Sequence, residues 1–187
     1  MEMMNGERNP SLDLVEQFRE GDRQAFAEIY RSNQPAVFRF ALHMTGDRNK
    51  AAELTQDVFV WLLHHPGGFD PKRGELAAFL VGVTRKLLLR RQRDARRWLP
   101  LIEAIFSRPG PQVDPVDATD LESLRKAIAS LPVRYREAVV LCDMESKSYE
   151  EAAALLDCAV GTIRSRLHRG RELLLRKLQT KRVPSEQ

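Results

Sequence analysis

Apolar residues recur every three to four positions along almost the whole of this 187-residue chain. In the span 121–131, for example, Leu121, Leu124, Ile128 and Leu131 fall on one helical face. No segment shows a sustained alternation of apolar and polar residues, which is the pattern of a half-buried β-strand. The sequence therefore predicts an all-α protein.

Local signals set the expected helix boundaries. Asp22 and Asp47 precede periodic segments and are predicted N-caps, because their carboxylates can accept hydrogen bonds from the first free backbone N–H groups. Gly46 is expected to end the helix between them, and Pro35 to kink or interrupt that helix.

A cluster of prolines divides the chain. Pro100, Pro109, Pro111 and Pro115 lie within residues 99–119, and this density predicts a linker rather than a long helix. Because 187 residues can form two small domains, we expect one helical domain on each side of the linker. Their predicted bounds are residues 11–98 and 120–180, with the linker at 99–119.

Charge is distributed unevenly along the sequence. The chain has 30 Lys and Arg residues against 26 Asp and Glu, a formal net charge of +4. Residues 1–30 are mainly acidic, whereas residues 85–97 and 164–182 are strongly basic. This asymmetry predicts a polyanionic partner for the two basic segments.

Neither a secretory signal nor a membrane span is predicted. The N-terminus lacks a basic start followed by an apolar segment, and the best apolar run, Leu76–Val83, is much shorter than a span requires. We therefore expect a cytoplasmic protein with no membrane insertion. Cys142 and Cys158 are expected to be buried free thiols, and they predict no metal site.

A helix-turn-helix is predicted near the C-terminus. Ser148 and Glu151 have the spacing of a capping box, and a turn at residues 157–159 separates this helix from a basic second helix. Glu172 is the single carboxylate between Arg164 and Arg182, against eight Lys or Arg, so pairing within this helix cannot neutralise it. The alternative is an ordinary solvated face. The residues predicted to face DNA are Thr162, Arg164, Ser165, Arg166 and Arg169.

These segments resemble the extracytoplasmic-function (ECF) sigma factors, the compact promoter-specificity subunits of bacterial RNA polymerase within the sigma-70 family. The C-terminal match includes "LP" at 131–132, "SYEE" at 148–151 and "GTIRSRLHR" at 161–169; the N-terminal match includes "EGDRQAFAEIY", "ELTQDVF" and "FDPKRG". The resemblance implies a region 2 domain and a region 4 domain. It also implies three partners, namely core RNA polymerase, promoter DNA and an anti-sigma factor, with no cofactor and no catalysis.

The resemblance assigns roles to two N-terminal sets of residues. One set is expected to dock on core polymerase: Glu53, Leu54, Gln56, Asp57 and Phe59. The other is expected to bind and melt the minus-ten element: Phe69, Lys72, Arg73, Phe79, Arg85, Lys86 and Arg90. The basic and aromatic residues of this second set suit the binding of single-stranded DNA.

The sequence departs from the family pattern at four positions. Phe79 and Lys86 stand where the family commonly has Trp and Asn, which implies a changed base preference or melting capacity. Asp157 replaces the usual Gly at the helix-turn-helix corner. Ala159 is a weak N-cap for the second helix.

Two other functions are compatible with parts of this sequence. A free-standing transcriptional regulator would use the helix-turn-helix alone, without polymerase. A hydrolase with His64 and His65 as metal ligands has little support, because adjacent side chains on a helix diverge by about 100°.

Overall fold

The computed structural model describes residues 10–105 and 120–180, and within these ranges it forms eight α-helices and no strand. The prediction of an all-α fold is confirmed. A short 3₁₀ helix (Pro71–Arg73) precedes α4, and a π-helical turn (Val140–Met144) follows α6. The α-helices are α1 (Pro10–Arg19), α2 (Arg23–Thr45), α3 (Arg48–His64), α4 (Leu76–Ile105), α5 (Asp120–Ala129), α6 (Val133–Val139), α7 (Tyr149–Leu156) and α8 (Val160–Thr180).

The predicted caps of the N-terminal helices are confirmed. The Asp22 carboxylate accepts a hydrogen bond from the Gln24 N–H at 2.7 Å, and Asp47 accepts from Asn49 at 2.9 Å. Hydrogen bonds from backbone N–H groups, chiefly that of Lys50, hold the pKa of Asp47 below its ordinary value. Gly46 ends α2 in the left-handed conformation, with φ of 69°.

Two prolines lie within continuous α-helices. Pro35 lies within α2, which stays continuous because the turns on both sides of it are anchored by buried Ile29 and Val37. Pro100 lies within α4, which continues to Ile105, so residues 99–105 of the predicted linker are helical. A proline removes one intrahelical hydrogen bond and can bend a helix without ending it. The remainder of the predicted linker, 106–119, lies outside the described residues.

Helices α1 to α4 enclose one hydrophobic cluster, which holds the α3–α4 loop against the bundle. Arg19, the last residue of α1, donates a hydrogen bond from its guanidinium to the carbonyl of Phe69 in this loop. The Phe69 ring is itself buried. The buried members of this cluster are Val15, Phe18, Ala25, Ile29, Val37, Val58, Phe59, Leu62, Phe69, Leu80 and Val83.

A second hydrophobic cluster joins the two halves of the chain. Its N-terminal members come from α2, α3 and α4, and its C-terminal members from α5, the π turn and the helix-turn-helix. We call the contact of α2 and α4 with α5, α6 and the π turn the domain interface. The buried members of this cluster are Phe40, Ala41, Met44, Ala51, Leu54, Leu88, Ile128, Val140, Leu141, Ala152, Ala153, Leu156 and Ile163.

The π turn places two acidic side chains on different neighbours. The N–H of Glu145 bonds the carbonyl of Val140 at 2.9 Å, one residue further back than in an α-helix. Asp143 then contacts α8, whereas Glu145 contacts α2. The turn therefore connects the helix-turn-helix to the domain interface.

Both cysteines are free thiols, but they are half-buried rather than fully buried as expected. Partial burial and the nearby Asp143 raise the pKa of Cys142, and the guanidinium of Arg171 opposes this. No helix in the described ranges has both the length and the apolar character needed to cross a membrane.

Candidate nucleic-acid interface

Helix α7 begins with the predicted capping box. The Ser148 hydroxyl oxygen accepts a hydrogen bond from the Glu151 N–H at 3.1 Å, and the Glu151 carboxylate accepts one from the Ser148 N–H at 2.7 Å. The backbone bond from Ser148, helped by Lys147, lowers the pKa of Glu151. This reciprocal pair fixes where the helix-turn-helix starts.

Asp157 makes the corner between α7 and α8. Its backbone is left-handed, with φ of 51° and ψ of 56°, and its N–H contacts the carbonyls at the end of α7. Asp adopts this conformation more readily than most residues other than Gly. Helix α8 begins at Val160, directly after Ala159, as the sequence predicted.

Helix α8 is seated by buried apolar residues and by one glycine. Ile163 and Leu167 are 0% and 2% exposed. A Cβ on Gly170 would lie 2.7 Å from a Val139 methyl and 3.2 Å from the Tyr135 carbonyl oxygen, so α6 crosses α8 too closely for a side chain there. This packing fixes which face of α8 points outward.

Three of the five residues predicted to face DNA are exposed on that face: Arg164, Ser165 and Arg169. Thr162 and Arg166 are half-buried at its edge. The Arg166 guanidinium lies 3.9 Å from the Cys158 sulfur, and the Ser165 hydroxyl donates to the Thr162 carbonyl at 3.0 Å. The exposed face is therefore narrower than the sequence predicted.

Arg171 of α8 is paired with an acid from another element. Arg171 donates two hydrogen bonds to the Asp143 carboxylate, at 2.6 and 3.1 Å, and this contact raises the pKa of Arg171. Arg169 makes only a 3.5 Å contact with Glu172 on its own helix. The sequence could not distinguish these two arginines, because Asp143 lies 28 residues from Arg171.

The basic residues of α4 differ in accessibility. Arg85 is paired with the Glu137 carboxylate, with its Nε 2.7 Å from Oε1, and Glu137 is only 2% exposed. Lys86 and Arg90 are exposed, and the Arg90 Nε lies 4.0 Å from Asp94. The structure therefore places Arg85 inside the domain interface, not on the open basic face that the sequence predicted.

The α3–α4 loop presents fewer aromatic faces than expected. Phe69 is 5% exposed and packs against half-buried Phe79, with ring centroids 5.4 Å apart. The Phe69 ring belongs to the core in this structure, so stacking of Phe69 on bases stays a prediction that would require its ring to become exposed. Lys72 and Arg73 are exposed on the 3₁₀ helix, as expected.

Sequence reasoning missed a stacked pair beside this loop. Trp61 and His65 stack with centroids 4.5 Å apart and planes 11° apart, and Trp61 contacts Phe79 at 6.0 Å. The spacing of four residues between Trp61 and His65 was the available signal, since it places the two rings on one helix face.

The outer face of α3 carries part of the predicted polymerase-binding set. Glu53 and Gln56 are exposed, and Asp57 is half-exposed and paired with Arg91. Leu54 and Phe59 are 0% and 3% exposed and are core residues in this structure, so their predicted contact with a partner stays a prediction without an exposed surface to support it.

Two exposed apolar residues extend that face. Val60 and Leu63 are 49% and 48% exposed, and they follow Glu53 and Gln56 at helical spacing. Helical spacing alone does not show whether an apolar side chain faces the core or solvent, so the sequence did not point to these two residues.

His64 and His65 do not form a metal site with other ligands. Their Nδ1 atoms lie 2.7 and 2.8 Å from the carbonyl oxygens of Val60 and Trp61, one turn earlier in the same helix. Among the described residues, no group of three or more His, Cys, Asp or Glu side chains could hold a metal ion.

Comparison with known proteins identifies both halves. Residues 29–98 match the family Sigma-70 region 2, and residues 121–174 match Sigma-70, region 4. The ECF RNA polymerase sigma factor EcfG of Rhodopseudomonas palustris is 32% identical over 145 residues, which are 75% of this chain and 77% of that protein. The chain belongs to the ECF RNA polymerase sigma factors.

Other relatives agree with this sigma-factor assignment. SigE of Mycolicibacterium smegmatis is 35% identical over 82% of this chain, and the match spans 63% of that longer protein. A sigma factor RpoE, solved in complex with the anti-sigma factor NepR from Bartonella quintana, has a TM-score of 0.68 and 29% identity. The alignment covers 84% of this chain and 98% of that one.

Proposed function

We propose that this sigma factor directs core RNA polymerase to promoters and assists in opening them, in the cytoplasm and without a catalytic step of its own. The observation that carries the proposal is the outward face of α8, where Arg164, Ser165 and Arg169 project from a helix seated by buried residues. Core polymerase is proposed as the partner because the chain belongs to the ECF sigma factors.

Region 4 is proposed to read the minus-thirty-five element. An exposed recognition helix fits the major groove, where an arginine can bind a guanine edge and a serine can bind either base or phosphate. Arg164, Ser165 and Arg169 would make the central contacts, with Thr162 and Arg166 at the edge.

Region 2 is proposed to hold the opened minus-ten element. Exposed basic residues can follow a DNA backbone, while an aromatic edge offers a surface for an unstacked base. The available residues are Lys72, Arg73, Phe79, Lys86 and Arg90, and Trp61 with His65 lie beside them. Arg85 would join this set only after leaving Glu137.

The outer face of α3 is proposed to bind core polymerase. It combines polar Glu53, Gln56 and Asp57 with exposed Val60 and Leu63. An apolar centre with a polar surround is the usual composition of a protein–protein contact.

Retention on immobilised core polymerase tests this surface. Leu63→Glu should weaken retention about tenfold, because it places a charge where an apolar side chain loses its water on binding. Leu121→Glu is the matched control, since Leu121 is 54% exposed on α5 and outside the proposed surface. Equal retention of Leu63→Glu and wild type would contradict the assignment to α3.

Transcription in vitro tests the function as a whole. Purified core polymerase and this chain, given a pool of genomic fragments, should produce transcripts from a defined subset of them. If the chain bound duplex DNA but neither associated with polymerase nor supported transcription, a free-standing regulator would be the better description.

An anti-sigma factor is the proposed regulatory partner. The basis is the related RpoE, whose structure was solved with the anti-sigma factor NepR. Copurification of a tagged chain from its native cells would identify such a partner, and the interaction should be lost when polymerase is in excess.

A further inference from the structure

Arg19 at the end of α1 bridges two backbone carbonyls of the α3–α4 loop (residues 65–75). Its Nε lies 3.4 Å from the Pro66 carbonyl oxygen, and its Nη2 donates to the carbonyl of Phe69. A guanidinium carries its donors in a rigid planar fork, so one arginine can hold two acceptors at a fixed separation. The turn at residues 66–69 is therefore tied to α1 on its outer side.

Helix α1 is a firm support for this bridge. Val15 and Phe18 are buried in the N-terminal hydrophobic cluster, and the Phe18 ring packs against Phe26 with centroids 5.7 Å apart. Gly21, with φ of 93°, then turns the chain into α2. Because these contacts fix the end of α1, the backbone of Arg19 has a fixed position beside the loop.

Trp61 holds the same turn on its inner side. A Cβ on Gly68 would lie 3.0 Å from Cη2 of Trp61 and 3.1 Å from the His65 carbonyl oxygen, so the loop backbone packs directly against the indole ring. The Gly68 N–H donates to that same carbonyl at 2.9 Å. By contrast, a Cβ on Gly67 would meet nothing within 4 Å. The packing of the turn therefore requires a glycine at position 68 but not at position 67.

This turn leads directly into two of the basic residues proposed to bind the opened strand. Asp70 follows Phe69, and its carboxylate accepts a hydrogen bond from the Lys72 N–H at 3.0 Å. The Asp70 carbonyl accepts one from the Arg73 N–H, also at 3.0 Å. Lys72 and Arg73 are exposed on this short 3₁₀ helix. Their positions therefore depend on where the turn at residues 66–69 lies.

We propose that Arg19 is a positioning residue for binding of the opened minus-ten strand: it holds the α3–α4 loop in the shape that presents Lys72 and Arg73 to DNA, without contacting the DNA itself. The inference rests on the proposed function of region 2. It adds α1 to that site, although α1 precedes the residues that match Sigma-70 region 2, 29–98. A loop that is ordered in advance loses less conformational entropy on binding, so it binds more tightly.

Arg19→Gln removes the bridge and tests the proposal in the holoenzyme, assembled from the full chain and core polymerase. The probe is one labelled strand of a fragment that transcription in vitro selects, and core polymerase alone gives the background. Fluorescence anisotropy should show about fivefold weaker binding for Arg19→Gln, if the released loop keeps its present shape a fifth of the time. Arg31→Gln is the matched control and should bind as wild type does, because it removes the same charge from an exposed arginine that pairs with Glu28 on α2.

The two neighbouring glycines allow the turn to be displaced from its other side without a change of charge. Gly68→Ala should push the turn away from Trp61 and weaken strand binding. Gly67→Ala adds the same methyl group in open space and should leave strand binding unchanged.

Amide hydrogen exchange in the free chain measures the turn itself. The Gly68 N–H should exchange faster in Arg19→Gln than in Arg31→Gln, because its bond to the His65 carbonyl opens more often once the bridge is removed. Binding of duplex DNA through α8 should be the same in both variants, which excludes general unfolding as the cause.

Two further variants distinguish positioning from a direct contact with DNA. Arg19→Lys keeps the charge but lacks the planar fork, so it should still weaken strand binding. In a chain that already carries Lys72→Ala and Arg73→Ala, adding Arg19→Gln should cause no further loss, because the residues that the loop presents are gone. A phosphate contact made by Arg19 itself would instead add its own loss and lower the salt slope of strand binding by about 0.7.

The inference is overturned if Arg19→Gln and Arg31→Gln bind the strand equally, or if the two glycine variants do. It is also overturned if Arg19→Gln causes the same loss when Lys72 and Arg73 are already alanine, or if strand binding falls while exchange at Gly68 is unchanged. The proposed function fails separately, if the wild-type chain neither associates with core polymerase nor supports transcription. The exchange measurement, which uses the free chain, would still show whether the bridge orders the loop.

Discussion

Helices α4 and α8 are both rich in arginine, yet they present different charges to solvent. On α4, Arg85 and Arg91 pair with carboxylates of other helices. On α8, Arg164 and Arg169 face outward, whereas Arg171 is held by Asp143 of the π turn. The number of arginines in a helix therefore does not give the number available to DNA, which depends on acids brought close by the fold.

The largest expected difference concerns stability. Glu137→Ala should reduce the stability of the packed arrangement by about 3 kcal/mol, because it leaves Arg85 without its partner in a buried site. Glu172→Ala should cost no more than about 0.5 kcal/mol, since its contacts with His168 and Arg169 are exposed. Amide hydrogen exchange along α6 and α8 measures the loss of stability in both variants. Similar losses in Glu137→Ala and Glu172→Ala would contradict the claim that the acid paired with α4 matters more for stability than the acid on α8.

The next difference concerns DNA affinity. Arg169→Ala should weaken binding to a selected duplex by about 1–3 kcal/mol with no change in melting temperature, because its side chain makes little contact within the protein. Arg171→Ala should have a smaller effect on DNA and should lower the melting temperature, since it breaks the bidentate contact with Asp143. Titration at several salt concentrations, with thermal unfolding in parallel, distinguishes the two. If Arg171→Ala weakened DNA binding more than Arg169→Ala, Arg171 would have to leave Asp143 when DNA binds.

Acid should weaken the domain interface through Glu145. Its pKa in the folded chain lies below the ordinary 4.5, so its contribution is complete above pH 4.5 and is lost as pH falls through the folded value. Glu145→Gln should cost roughly 1–2 kcal/mol near neutral pH, and the difference from wild type should shrink in acid. Urea unfolding between pH 7 and about 3 measures this, with Glu150→Gln on the exposed side of α7 as control. A constant difference across that range would exclude Glu145 as the titrating group.

The smallest effect is expected at the start of α8. Ala159→Ser should stabilise the helix-turn-helix by about 0.5–1 kcal/mol, because a serine hydroxyl can accept from the first free N–H groups of the helix. Chemical denaturation measures the gain. Ala154→Ser, at an exposed position inside α7, is the control and should give no gain.

Local features of the fold were predictable from the sequence, whereas pairings between distant segments were not. The caps at Asp22 and Asp47 and the capping box at Ser148 depend on residues two or three positions away, so the sequence contains all the information needed. The partner of Arg85 lies 52 residues further along the chain, and no local pattern identifies it. The physical reason is that two residues far apart in the sequence meet only when the whole chain has folded.

The same distinction applies to the candidate sites. The exposed residues of α8 could be predicted because a strongly amphipathic helix has one apolar face. On α3 the apolar residues surround more of the helix: Leu54 and Phe59 are buried, whereas Val60 and Leu63 are exposed. Which of them faces the core depends on where α2 and α4 pack, and periodicity alone cannot supply that.

The π turn after α6 has a consequence for how this chain can vary. Its extra residue sets the angle between Asp143, which holds α8, and Glu145, which holds α2. Deleting a single residue there would restore regular α-helical winding and rotate one carboxylate by about 100° relative to the other. Homologues that gain or lose a residue at this point would therefore keep only one of these two ion pairs. Variation in the length of the turn would thus change how strongly the two halves of the chain are held together.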